Sequence, residues 1–179
     1  YDAMNKGIEY FSNNFGSNSF LIFMNSGDQF HNEINDINLN ELKKYDLSIF
    51  RNYKDDGQID KRFKVSLLNY GFMPVCHQAI FYNTGKLGYK DLKYNTDTVS
   101  FNDFRQLYFL IIKNKKTFNY FDNSIAIYEQ NTTSGLSRSN YRFRIEKLTI
   151  IYSLSGFKGL LYMIIFKLFR YFITKQNVI

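Results

Sequence analysis

The polar tetrad Asn25-Ser26-Gly27-Asp28 follows directly on the apolar run Phe20–Met24. A carboxylate at such a point can hold a hard cation, Mg²⁺ or Mn²⁺, which in turn holds a diphosphate. Gly27 lets the backbone approach a ligand closely. The same four residue types also make an ordinary turn. Asp103, in Asn102-Asp103-Phe104, is a second carboxylate placed near the start of a helical pattern. There Ser100-x-x-Asp103 has the spacing of a capping box, and an acid in the first turn suits the helix dipole. His77 and Gln78 follow the chain's single proline, Pro74, closely enough to satisfy a buried turn beside it. Asp2 and Asn5 open a further helical pattern, Asp2 as a cap. With one cysteine, Cys76, and two histidines, His31 and His77, a zinc site is not expected and a disulfide framework is excluded.

The elements that must position these residues follow from the pattern. Met4, Ile8 and Phe11 share one helix face. Ser12–Asn18 reads as a loop, and the uninterrupted Phe20–Met24 as a strand buried on both faces. Leu39–Tyr45 reads as a short helix and Leu47–Tyr53 as a strand. Lys54–Asp60 reads as a charged turn, and Met73–Tyr82 surrounds the proline. Ser100–Lys113 is the clearest helix, with Phe101, Phe104, Leu107, Tyr108 and Ile111 on one face. Phe118–Phe121 and Ile125–Tyr128 read as two short strands, and Glu129–Ser137 as a loop. Helices alternating with buried strands indicate an α/β fold.

The chain has 179 residues, 45% hydrophobic and 19% aromatic, which suits one domain with a sizeable core and excludes a disordered chain. The lone cysteine fits a reducing compartment. The net charge of +7 is unevenly placed. Residues 1–137 hold fifteen basic and fifteen acidic side chains, whereas residues 138–179 hold eight basic and a single acid, Glu146. Such asymmetry points to an anionic partner, a membrane or a nucleic acid. Tyr141–Tyr152 and Phe157–Ile173 both read as helices. The apolar run Leu160–Phe166 falls short of the ~20 residues a spanning helix needs. It suits a helix lying in a membrane interface with its basic side chains at anionic headgroups. That density of Leu, Ile and Phe favours lipid or the protein core, and no nucleic acid is expected.

YDAMNKGIEYF followed after a short loop by FLIFMNSGDQF resembles the middle of a family-2 glycosyltransferase with the GT-A fold, of the bacterial polysaccharide-biosynthesis, colanic-acid type. The resemblance returns, in family order, at MPVCHQAIFY, at FNDFRQLYFLIIKNKKTFNYFD and at SGLS. It implies a GT-A domain over residues 1–137, incomplete at its N-terminus, followed by a basic amphipathic helical tail over 138–179.

The implied activity moves a sugar from a nucleoside-diphosphate donor to an acceptor hydroxyl with inversion, in surface or extracellular polysaccharide synthesis. In the family an acidic strand-end motif binds the divalent cation and the donor diphosphate. Here Asn25 and Gly27 stand where Asp is common, which leaves Asp28 as the metal ligand with Asn25 as a neutral partner. Asp103 matches the general base. His77 and Gln78 match a segment beside the sugar site, and Asp2 and Asn5 border the donor site. Many members carry Arg where this chain has Met4. The implied acceptor is a glycan or lipid-linked oligosaccharide, and the implied place is the inner face of the cell membrane, held peripherally. The alternative is a catalytically inactive GT-A-like binding or scaffold protein at the membrane surface.

Overall fold

A computed structural model describes residues 1–15, 18–25, 27–54, 63–98, 100–128 and 141–176. Most of the Lys54–Asp60 turn and the whole Glu129–Ser137 loop lie outside these residues. The chain forms a mixed α/β fold. Its strands are β1 (Phe20–Leu21), β2 (Gln29–Phe30), β3 (Leu47–Lys54), β4 (Ile80–Asn83) and β5 (Phe118–Tyr128). Its α-helices are α1 (Asp2–Asn14), α2 (Leu39–Leu42), α3 (Ser66–Asn69), α4 (Tyr89–Leu92), α5 (Asn102–Tyr108) and α6 (Tyr141–Gln176).

The five strands form one sheet in the order β1-β4-β3-β5-β2. β4 runs antiparallel to both β1 and β3, and β5 runs parallel to β3. Strands β1, β3 and β5 therefore point the same way, and their carboxyl ends share one edge of the sheet. The entry to β4 lies on that same edge. Leu47, Ile49, Phe50, Ile80, Tyr82 and Ile125 form the buried centre of the sheet.

Several expectations need correction. Hydrogen-bonded strand covers only Phe20–Leu21 of the Phe20–Met24 run, and all five of these residues are half-buried. Among the described strands β1 pairs with β4 alone, so this run occupies a sheet edge. Phe118–Tyr128 is one strand, not two. The polar step Asp122-Asn123 is absorbed as an irregularity, where the register moves from Ile49↔Tyr120 to Arg51↔Ser124. That irregularity places Asp122 against the Arg51 guanidinium, whose Nε also donates to Tyr120 Oη at 3.2 Å.

The Ser100–Lys113 helix begins at Asn102, and its last turn, Phe109–Lys113, is π-helical. Phe101 precedes it with φ of 61° and offers no side-chain cap. The capping box does not form, because Ser100 is bound elsewhere: its N–H and Oγ both donate to Glu146 Oε2, at 3.1 and 2.8 Å. Four of the five residues expected on its apolar face, Phe104, Leu107, Tyr108 and Ile111, are buried, whereas Phe101 precedes the helix and is half-buried.

α6 breaks at Gly156, where φ is 64° and ψ is −163°. Its first half is not detached from the domain. Ile150, Ile151 and Leu154 join the same buried cluster as the sheet residues, and so does Met163 beyond the break. Ser155 Oγ donates to Tyr108 Oη at 2.8 Å, and Lys147 lies between the Phe72 and Phe101 rings, at 5.1 and 5.3 Å. Burial, and then the charge of Lys167, lowers the Lys147 ammonium from its ordinary value.

Candidate functional site

The shared sheet edge decides which residues meet. β1 and β4 pair Phe20 with Asn83 and Leu21 with Tyr82. Carried on at the same register, this pairing sets Asn25 level with Gln78, so the loop leaving β1 faces the turn entering β4. In the β1 loop the Asp28 N–H donates to the Asn25 carbonyl at 3.2 Å, with Gly27 at φ 96°. That left-handed conformation strains any residue with a Cβ, which is why a glycine closes this turn. In the β4 turn His77–Ala79 forms a single 3₁₀ turn.

Two side-chain contacts join these segments. His77 Nε2 lies 3.3 Å from Asn25 Oδ1, and Gln78 Nε2 donates to Asp28 Oδ2 at 2.5 Å. Gln78 is 1% exposed, and its Oε1 accepts from the Cys76 thiol. Both ends of its amide are thus engaged by protein, and it orients Asp28. Gln78 therefore meets the need of a buried turn for internal partners, while His77, half-buried, stays at the surface of the cluster.

The third segment is the start of α5. Asp103 Oδ2 lies 3.9 Å from His77 Nδ1. Its Oδ1 accepts from the Tyr1 hydroxyl at 3.3 Å, and the same hydroxyl oxygen accepts the Asn102 N–H at 3.3 Å. Tyr1 thereby supplies the cap that α5 lacks and fixes the Asp103 carboxylate at once. Burial, then the charge of Asp103, raises the Tyr1 phenol well above its ordinary value, so it stays a donor. The Tyr1 ring stacks on Tyr94 at 5.2 Å, and Phe23 packs edge-on against Tyr82 and Tyr94. Tyr82 and Tyr94 are each 1% exposed, so the Tyr1 ring rests on buried aromatic side chains.

His77 sits between two carboxylates, yet burial outweighs them and its pKa is lowered. It is therefore neutral at pH 7 and carries one ring proton. A proton on Nδ1 points toward Asp103, and Nε2 is then an acceptor toward the Asn25 amide. A proton on Nε2 serves the Asn25 oxygen and leaves Nδ1 as an acceptor.

Asn25, Asp28, His77, Gln78 and Asp103, which the sequence places in three separate segments, are thus brought together. Asp2 and Asn5 are not joined to them by any hydrogen bond among the described residues. Asn5 is committed to the scaffold: Nδ2 donates to the Tyr94 carbonyl at 2.9 Å and Oδ1 accepts the Tyr94 N–H at 2.7 Å. Asp2 is the first residue of α1 and is exposed; Tyr1 takes the capping position without a side-chain bond to that helix. Tyr1 and Glu146 are the participants that sequence reasoning missed. No local signal marks them, because each acts on a segment about fifty to a hundred residues away.

The donor set suits some ligands better than others. Among the described residues no three His, Cys, Asp or Glu side chains lie close enough together to hold a metal ion. One carboxylate and one amide oxygen at a loop still fit a hard cation that takes its other ligands from phosphate oxygens and water. No protein-family model matches the chain, and no curated protein matches it.

Proposed function

We propose that the chain is a glycosyltransferase domain of the GT-A kind. It transfers a sugar from a nucleoside-diphosphate donor to an acceptor hydroxyl with inversion, in the synthesis of a surface or extracellular polysaccharide. One observation carries the reading. Two carboxylates with distinct surroundings, Asp28 and Asp103, flank His77 at the edge where co-directional strands end. Ligands of open α/β sheets bind at that edge.

In this reading Asp103 accepts the proton of the acceptor hydroxyl as its oxygen attacks the anomeric carbon. The bond between that carbon and the diphosphate oxygen breaks, and the diphosphate leaves with the electron pair. Tyr1 holds one oxygen of Asp103, and the other lies toward His77. His77, neutral, offers one ring nitrogen to a sugar hydroxyl. Asp28, braced by Gln78, and Asn25 would hold a divalent cation, which when bound offsets the charge of the departing diphosphate.

A second reading keeps the fold without turnover, as a binding protein. It is favoured by the single carboxylate in the strand-end loop, where Asn25 and Gly27 offer no charge. Nucleoside-diphosphate release by the full-length protein, screened over nucleotide sugars with Mg²⁺ or Mn²⁺, separates the two. A transferase releases nucleoside diphosphate with at least one donor, and Asp28→Ala slows release. A binding protein shows saturable nucleotide-sugar binding and no release.

A further inference from the structure

The two halves of α6 each carry two apolar faces, one buried in the domain and one open to solvent. In the first half Tyr141, Ile145, Leu148 and Tyr152 are exposed, Tyr141 at 76% and Tyr152 at 58%. At about 100° per residue they fall within an arc of roughly 60°, nearly opposite the buried Phe143, Ile150 and Leu154. In the second half Phe157, Leu161, Ile164, Ile165 and Leu168 are exposed, Phe157 at 69%. They share an arc of about 100°, facing away from the buried Gly159 and Met163. Scattered exposed leucines need no explanation, but four large apolar side chains on one face of the first half and five on one face of the second mark an interaction surface.

Charge identifies the occupant. On the first half Arg142 and Arg144 lie on either side of the exposed arc, and on the second half Lys158 and Lys167 do the same; all four are exposed. The one acid of the element, Glu146, is turned inward, where it accepts from Ser100 and from Arg142 Nε. Arg142 is thus ion-paired with Glu146, and Arg144, Lys158 and Lys167 are the exposed cations that border the apolar faces. A second copy of the chain would bring the same positive border against itself, which opposes pairing.

The stretch Tyr141–Leu168 is long and apolar enough to cross a membrane by length and composition. The break at Gly156 and the buried inner face oppose that. Crossing would require Ile150, Ile151, Leu154 and Met163 to leave the core.

We infer that the exposed apolar faces of α6 are a docking surface for an anionic lipid leaflet, lying in the interface with their apolar side chains among the acyl chains and Arg144, Lys158 and Lys167 at the headgroups. Through Glu146 this helix also grips Ser100, at the turn that leads into α5 and Asp103. Docking thus sets the candidate site at a fixed height above the leaflet, where a lipid-linked acceptor presents its glycan. The docking itself is independent of the transferase reading, since vesicle binding requires no nucleotide sugar.

Co-sedimentation of the full chain with vesicles tests it. Mixed phosphatidylglycerol and phosphatidylcholine vesicles should bind it roughly 100- to 1,000-fold more tightly than pure phosphatidylcholine vesicles. Ile145→Glu with Tyr152→Glu, and Phe157→Glu with Ile165→Glu, change exposed positions only and should abolish binding with the fold retained by circular dichroism. Lys158→Glu with Lys167→Glu should remove the preference for anionic lipid. Three results overturn the inference. One is equal binding of the wild type to both vesicle types, or to neither. Another is a stable oligomer in lipid-free solution that the apolar-face variants dissociate. The third is resistance of the membrane-bound chain to alkaline carbonate extraction, which marks a spanning helix.

Discussion

Asn25 and His77 stand fifty-two residues apart in the chain, and their side chains meet at 3.3 Å. The meeting is a consequence of strand direction. β4 runs against β1, so the turn that begins β4 lies beside the loop that ends β1. The start of α5 then brings Asp103 to the other nitrogen of the same imidazole.

The lowered pKa of His77 has a consequence for stability. The unfolded chain binds a proton on this residue below about pH 6.5, whereas the folded chain resists it until lower pH. The unfolded state therefore holds more protons between the two values, and stability falls as the pH drops below about 6.5 toward the folded value. Denaturant midpoints measured from pH 7.5 to 5 should decline for the wild type. His77→Gln, which cannot be protonated, should show a shallower decline.

Asn5 is expected to be a structural residue. Its amide satisfies the N–H and the carbonyl of Tyr94, whose ring underlies Tyr1. Asn5→Ala leaves two backbone groups to find other partners and should cost about 2–3 kcal/mol. Thermal denaturation reads the loss directly. A fall in nucleotide-sugar affinity with unchanged stability would instead place Asn5 in the donor site.

Gly71 turns the chain after α3 with φ of 72°, and a Cβ built there would lie 2.3 Å from Ile151 Cδ1 of α6. Both backbone strain and overpacking oppose any larger residue. Gly71→Ala should destabilise the protein by about 2–4 kcal/mol. Pairing it with Ile151→Ala, which vacates that space, should recover part of the Gly71→Ala penalty. A double variant no better than additive would show that α6 is not packed on this turn.

Much of the architecture is legible in the sequence because it rests on periodicity. The helix face of Phe104, Leu107 and Tyr108, the strand over Leu47–Tyr53 and the division of the C-terminal segment into two helices all follow from apolar spacing. The loop Asn25–Asp28 is legible as a turn from its composition. Pairing is not. Whether Phe20–Met24 is central or at an edge depends on partners far along the chain, and a run of five apolar residues is the same in either place. The cap on α5 comes from Tyr1, and the partner of Ser100 comes from Glu146, so the local S-x-x-D signal was present without being used. The double apolar face of α6 was hidden for a similar reason. A helix apolar on two sides has weak periodicity, and only packing separates the side that is buried from the side that is not.

The central claim is that Asp103 accepts a proton during sugar transfer, and single-turnover transfer by the full-length protein tests it most directly. With the donor and acceptor identified by screening, Asp103→Asn should lower the transfer rate by about 100- to 10,000-fold while donor affinity and folding stay near wild type. Transfer by Asp103→Asn at the wild-type rate would contradict the account.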